Sequence, residues 1–158
     1  MTRPNGTNTT GPRVLAVASG GGHWVQMLRL IPAFDGAKVH FATTDSTAAV
    51  IISPAPLHVF PDANKDRPLR LAGLALRMAA IFLRVRPDVV ISTGAAGGLV
   101  AIAMGRLCGA RCLFIDSIAN AETLSLSARL ARHIAHRTFS QWPGVARHHG
   151  AEYHGAVI

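Results

Sequence analysis

Short apolar runs alternate with longer amphipathic stretches along most of the chain. Several of the runs lack polar alternation, which is typical of strands buried on both faces. Strands are predicted at 13–18, 38–42, 57–60, 88–92, 111–115 and 137–141, and helices at 23–34, 45–52, 68–86, 97–108, 123–135 and 143–149. Because strand and helix alternate, we expect an α/β fold with a doubly wound, mostly parallel, Rossmann-like sheet.

The length of 158 residues suits one domain with a proper core. The polar, turn-rich start predicts a disordered tail at 1–12, followed by a single domain at 13–158. No apolar run reaches the roughly 18 residues that a spanning helix needs. Two cysteines are too few for a disulfide framework or a zinc site, and with no cluster of carboxylates we expect neither a catalytic metal nor a cofactor.

The net charge of +8 indicates a polyanionic partner, either nucleic acid, a phosphorylated substrate or an anionic membrane. Nucleic-acid binding would require basic residues interleaved with surface aromatics. The chain has only two Trp, one Tyr and six Phe, mostly in apolar strands, so nucleic acid is the least favoured of these partners.

Polar or glycine-rich residues follow most of the predicted strands. They are Ser19–His23, Asp45, Thr93–Gly98, Asp116–Asn120 and Gln141–Trp142. Right-handed crossovers bring the carboxyl ends of parallel strands to one edge of the sheet, where ligands bind in such folds. We therefore expect these five features to share one site.

The first of them, Ser19, Gly20, Gly21, Gly22 and His23, has the form of an anion-binding turn. Glycines let a ligand approach the backbone, and the helix that follows adds a positive end, so phosphate is favoured there. The turn is not a P-loop, because no Gly-Lys-Ser/Thr follows. His23, at the first turn of the helix, is a candidate general base, and the alternative is a structural histidine.

A nicotinamide-binding oxidoreductase is a weaker alternative. Gly20 and Gly22 fit the first two positions of the dinucleotide fingerprint, but Val25 stands where the third glycine belongs. Asp45 occupies the place of the acidic ribose ligand.

Thr93, Gly94 and Gly97 repeat the glycine-rich design before another helix, and two helix N-termini at one cleft suit a ligand with a diphosphate. The alternative is that both loops are only tight turns.

Three segments, "ASGGGHWVQMLRL", "RPDVVISTGAAGGLVAIAMGRLCGARCLFIDSIANAETLSLSARL" and "FSQWPGV", together with "AEYHG", carry a family resemblance. In this order they resemble the acceptor-side subunit of a split glycosyltransferase, the family of asparagine-linked glycosylation protein fourteen and of bacterial PssD. The chain is more distantly similar to the N-terminal domain of MurG. The resemblance implies the acceptor-binding half of a GT-B fold, with the donor nucleotide-sugar site on a separate subunit.

The function implied by this resemblance is transfer of a sugar from a nucleotide-sugar to a polyprenyl-diphosphate-linked saccharide. His23 matches the turn histidine of the family, and Asp116 and Asn120 fall in its acidic loop. His23 or Asp116 would take the acceptor proton. The acceptor diphosphate would be held by Ser19, Gly20, Gly21, Gly22, Thr93, Gly94, Gly97 and Asn120. Gln141 and Trp142 are candidate partner contacts.

Two functions stay open at this point, a catalytic acceptor-binding subunit and a non-catalytic scaffold that anchors and activates a complete catalytic partner. A two-domain transferase would be about twice as long, and nothing after residue 142 resembles a second nucleotide site, so a partner subunit is expected in either case.

The predicted helix at 68–86 carries a basic stripe. At 100° per residue, Arg70, Arg77 and Arg84 fall on one side of a largely apolar helix. Such a helix can pack on the sheet and offer arginines and apolar side chains to anionic headgroups, but it is too charged to span the bilayer. We expect peripheral attachment at the cytoplasmic face of the cell membrane. The alternative is a buried helix whose arginines reach water.

Overall fold

The computed structural model describes residues 11–63 and 68–157, which form one sheet with helices on both faces. The six strands are β1 (Arg13–Val17), β2 (Lys38–Thr43), β3 (Leu57–Val59), β4 (Val89–Ser92), β5 (Arg111–Ile115) and β6 (Arg137–Phe139). All are parallel, in the order β3-β2-β1-β4-β5-β6. The doubly wound Rossmann-like sheet expected from the sequence is confirmed. Residues 1–10 of the predicted tail lie outside the described residues, while the Pro12 carbonyl already accepts a hydrogen bond from the Lys38 N–H.

The helices follow the strands in alternation. They are α1 (Gly22–Arg29), α2 (Ala49–Ile52), α3 (Pro68–Val85), α4 (Ala95–Leu107), α5 (Leu126–Ala131) and α6 (Pro143–His149). Two 3₁₀ turns, Ile31–Phe34 and Ser46–Ala48, complete the described secondary structure.

Two predicted helices are shorter than expected. The helix predicted at 23–34 ends at Arg29 and gives way to the 3₁₀ turn, because Pro32 has no N–H to continue an α-helix. The helix predicted at 123–135 begins only at Leu126, where the Ser125 side chain accepts from the Ala128 N–H and caps it.

Each face of the sheet has its own core. Leu15, Leu74, Met78 and Phe114 belong to the cluster between the sheet and the α3–α4 layer. Met27, Trp24 and Phe41 belong to the opposite cluster, under α1. The side chains of β1 alternate between the two clusters, which explains why its sequence is apolar without interruption.

The strand order sets the position of a ligand crevice. β1 and β4 are neighbours, and the chain winds away from them in opposite directions, toward β2–β3 and toward β5–β6. In such sheets ligands bind beyond the carboxyl ends of the two strands at this switch point. The turns that follow β1 and β4 are the two glycine-rich loops identified in the sequence.

Candidate functional site

The turn after β1 is built to present backbone N–H groups. Gly21 has a φ of 73°, a conformation that side chains rarely adopt, and it directly precedes α1. The Gly20 N–H donates to the Thr44 hydroxyl at 2.9 Å, which ties the turn to the end of β2. Gly21 and Gly22 are exposed. The first N–H groups of a helix have no helical acceptor, so this end of α1 can receive an anion.

The loop after β4 is joined to this turn through His23. The Thr93 hydroxyl donates to the His23 carbonyl at 2.7 Å, and Thr93 is fully buried. Gly94 has a φ of 136°, and a Cβ on it would lie 2.5 Å from Cε1 of His23. Gly94 is therefore a glycine because the imidazole occupies the space of a side chain.

The same loop orients the imidazole. Nδ1 of His23 lies 2.9 Å from the Thr93 carbonyl oxygen. A carbonyl can only accept, so in the neutral ring Nδ1 carries the hydrogen and Nε2 keeps its lone pair. Nε2 has no hydrogen-bond partner among the described residues, and the half-buried ring reaches the surface. This is the form and orientation that a general base requires.

Asp116, the other candidate base, is placed differently. It is buried, Oδ1 accepts from the Asn120 amide at 2.9 Å, and Oδ2 accepts from the Ser125 N–H at 2.9 Å. Both oxygens are engaged in holding the loop that leads to α5. The geometry therefore favours Asp116 as an organiser of the Asn120 loop and leaves His23 as the better-placed candidate base.

Two buried glutamine side chains hold the backbone of the loop after β5. The side-chain amides of Gln26 and Gln141 both donate to the Asp116 carbonyl, at 3.2 and 2.8 Å. Gln141 Oε1 accepts from the Val157 N–H, and only 3% of Gln141 is exposed. This corrects its expected role: Gln141 is an internal brace and cannot be a surface contact for a partner.

Trp142 forms a hydrogen bond within the protein and is also partly exposed to solvent. Its indole N–H donates to the Ile118 carbonyl at 2.7 Å, yet 37% of the residue is exposed. It therefore remains accessible to another protein.

Three residues expected to hold the ligand are buried, namely Thr93, Gly94 and Gly97. A Cβ on Gly97 would lie 2.4 Å from the Phe60 ring, so this glycine lets α4 pack closely on its neighbour. The Thr93 hydroxyl is used by the His23 carbonyl. Ser19 is partly exposed and Gly21 and Gly22 are exposed, whereas Gly94 is buried against the His23 ring. Thr44 and Gln26 also shape the site, and isolated polar residues such as these carried no motif by which the sequence could identify them.

The turn after β1 is exposed to solvent at Gly21 and Gly22. Grooves of about 740 and 790 Å³ lie elsewhere, between the carboxyl ends of α3 and α4 and beside the 3₁₀ turn after α1, and none of the candidate site residues lines them.

The arginine stripe of α3 lies on the surface together with a row of leucines. Arg70, Arg77 and Arg84 are exposed. Each follows an exposed leucine: Leu69, Leu76 and Leu83 are 87%, 73% and 76% exposed. Leu74, Met78 and Ile81 bury the opposite side of the helix. Among the described residues, no helix has the length and apolar character needed to span a membrane.

Comparison with known proteins places the chain beside glycosyltransferases. No family model matches. Curated relatives are named UDP-N-acetylglucosamine transferase subunit ALG14: the protein from Mus musculus is 28% identical over 83% of this chain and 76% of its own length. That from Eremothecium gossypii is 28% identical over 92% of this chain and 80% of its own. The resemblance indicated by the sequence motifs is confirmed.

Solved structures share the fold, and they include UDP-N-acetylglucosamine 2-epimerases as well as glycosyltransferases. Acinetobacter baumannii MurG superposes with a TM-score of 0.71 at 14% identity, covering 85% of this chain and 42% of MurG. A glycosyltransferase from Rickettsia africae gives 0.63 at 11% identity, covering 90% and 41%. The chain spans about two fifths of the length of these structures, so its fold is that of half a GT-B protein.

Proposed function

We propose that this chain is the acceptor-binding subunit of a two-subunit glycosyltransferase. The observation that carries the proposal is the joined site at the β1–β4 switch point, where the Thr93 carbonyl fixes His23 beside two helix N-termini. The acceptor is a saccharide linked to a polyprenyl diphosphate. Its diphosphate lies against the exposed turn of Ser19, Gly21 and Gly22 and the start of α4.

The proposed reaction inverts the anomeric centre of the donor sugar. Nε2 of His23 takes the proton of the acceptor hydroxyl as that oxygen forms a bond to the anomeric carbon. The bond from this carbon to the nucleoside diphosphate breaks, and the diphosphate leaves with the electron pair. General base catalysis of this kind contributes about 10²–10⁴-fold.

The donor nucleotide-sugar binds a partner subunit in this proposal. Two facts support it: the fold matches about two fifths of MurG, and the curated relatives are named as transferase subunits. Their name makes UDP-N-acetylglucosamine the first donor to test. Trp142, exposed beside the loop after β5, is the proposed partner contact.

The chain meets its acceptor at the membrane surface. The alternating Leu69–Arg70, Leu76–Arg77 and Leu83–Arg84 pairs on α3 offer apolar side chains and cations to anionic lipid. We place the complex peripherally, at the cytoplasmic face.

The test is transfer by the purified chain alone and together with its donor-binding partner, for which the product of the neighbouring gene is the first candidate. The readout is mass of the lipid-linked product with each of several nucleotide-sugars. We expect no product from either protein alone and product from the pair. Robust turnover by this chain alone would refute the two-subunit proposal.

A further inference from the structure

Two histidines on neighbouring strands form a pair under α3, away from the strand-end site. His40 on β2 and His58 on β3 bring Nδ1 and Nε2 to 3.1 Å, with the ring centroids 5.3 Å apart and the planes at 19°. His58 stands beside Ala42, which is in the α3-side core, and strand alternation puts His40 on that same face. Neither histidine has a part in the proposed reaction.

The surroundings of this pair are basic. Nε of Arg77 donates to the carbonyl of Val59, next to His58, and Arg84 lies two turns further along α3. Lys38 shares the face by alternation, whereas Arg13 on β1 is already paired with Asp88. None of the ion pairs among the described residues involves Arg77, Arg84 or Lys38. This surface therefore holds cations without a matching anion from the described part of the chain.

Uptake of one proton would give the histidine pair two outward hydrogen-bond donors. When both rings are neutral, one N–H is spent between them, which leaves one outward N–H and one outward lone pair. One added proton binds the outer lone pair, so both outer nitrogens, Nε2 of His40 and Nδ1 of His58, carry hydrogen while the bridging hydrogen and the positive charge are shared between the rings. A second proton would place two N–H groups against each other. The pair thus becomes a singly charged unit with two outward donors.

We propose that His40, His58, Arg77 and Arg84 bind the phosphate of an anionic phospholipid headgroup, and that the histidine pair takes up one proton when it binds. The leucines beside the arginines favour a lipid over a soluble phosphate. Leu76 and Leu83 are exposed directly before Arg77 and Arg84, so an acyl-bearing surface covers apolar side chains that a soluble ion leaves in water. The inference rests on the proposed membrane contact of α3.

The sign of the pH dependence follows from linkage. Burial and the Arg84 charge lower the pKa of His40, and burial, His40, Arg84 and Arg77 lower the pKa of His58, so these surroundings favour the neutral form of the pair in the free protein. A bound phosphate offsets the arginine charge and raises the pKa of the pair. Binding therefore strengthens as the pH falls, by at most about tenfold per pH unit for one proton.

The experiment measures co-sedimentation of the full chain with vesicles at about pH 7.5 and about pH 5.5, on either side of the ordinary histidine pKa. The vesicles contain phosphatidylglycerol in phosphatidylcholine, because this phosphodiester keeps one charge throughout the range. The variants are H40Q/H58Q and R77Q/R84Q. H133Q/H148Q is the matched control, since it removes two exposed histidines elsewhere. Thermal unfolding checks each variant, and H58Q alone replaces the double variant if that does not fold.

We expect about tenfold tighter vesicle binding at the lower pH for wild type and the control. This gain is lost in H40Q/H58Q, and binding falls at both pH values in R77Q/R84Q. Glycerophosphorylglycerol, the same headgroup without acyl chains, should shift the histidine NMR titration only weakly.

Three results would overturn the inference. If wild type binds vesicles equally well at both pH values, the proposed role of the histidine pair is refuted, while the proposed membrane contact of α3 is not. If H133Q/H148Q loses as much of the tighter binding at low pH as H40Q/H58Q does, the pH dependence comes from the overall charge of the protein and not from this histidine pair. The soluble headgroup could bind as tightly as the vesicles do, or it could bind when vesicles do not bind at all. Either result would mean that the site takes a soluble phosphodiester and not a lipid.

Discussion

At the scale of single residues, the account depends on how His23 is held. The Thr93 carbonyl accepts from Nδ1, the Thr93 hydroxyl donates to the His23 carbonyl, and Gly94 leaves room for the ring. Sequence alone identified the three residues because they lie in glycine-rich loops after strands. It could not assign their roles, because spacing does not tell which side chains at a strand end face the ligand and which face the interior.

Thr93→Val tests this clamp by removing only the hydroxyl. The His23 carbonyl loses a buried partner, so the free energy of unfolding in urea should fall by about 1–3 kcal/mol. Thr138→Val is the matched control, because the Thr138 hydroxyl is buried without a partner and its removal should be neutral or stabilising. Equal losses in both variants would show that the Thr93 hydrogen bond contributes nothing particular.

At the scale of elements, strands were predicted more accurately than helices. Every predicted strand overlaps an observed one, because buried parallel strands are marked by continuous apolar runs. The helix ends were less predictable. The chain around Thr123 departs from the predicted helix because the Asp116 carboxylate captures the Ser125 N–H, a contact across nine positions that local periodicity cannot show.

The proposed membrane face belongs to α3. Changing Arg70, Arg77 and Arg84 together to Gln should weaken co-sedimentation with anionic vesicles, and wild-type binding should weaken with salt. Neutral vesicles should bind neither protein. The control changes Arg111, Arg129 and Arg147 to Gln, which removes the same charge from exposed sites on other elements. Equal pelleting of the α3 variant and wild type would show that this stripe is not the anchor.

The opposite edge of the sheet is tied by an ion pair between β1 and the residue before β4. Arg13 donates two side-chain hydrogen bonds to Asp88 and lowers the pKa of that carboxyl to about 2. Since the folded pKa lies below the ordinary 3.8, the pair stabilises the fold above that pH, and the contribution is lost as the pH falls toward about 2. NMR titration of the Asp88 carboxyl carbon should give a midpoint near this value and a higher one in Arg13→Gln. An unchanged titration midpoint of Asp88 in Arg13→Gln would mean that the ion pair does not lower the pKa of this carboxyl.

At the scale of the whole molecule, the order of the strands makes a site of separate loops. Alternation of strand and helix predicted a doubly wound sheet, but not which strands are neighbours. The structure places β1 beside β4, and their two turns therefore meet through His23 and Thr93. The fold is about two fifths of the solved transferases that it resembles, which supports a second subunit that completes the cleft.

The central claim is that His23 supplies the base in a shared active site, and His23→Asn in the reconstituted pair tests it most directly. Asparagine keeps an N–H near the position of Nδ1 for the Thr93 carbonyl but has no counterpart of Nε2. Turnover at saturating donor and acceptor should fall by about 10²-fold or more, with subunit association unchanged. His133→Asn, at an exposed position, should keep full activity. Full activity of the His23 variant would contradict the account and favour a non-catalytic scaffold.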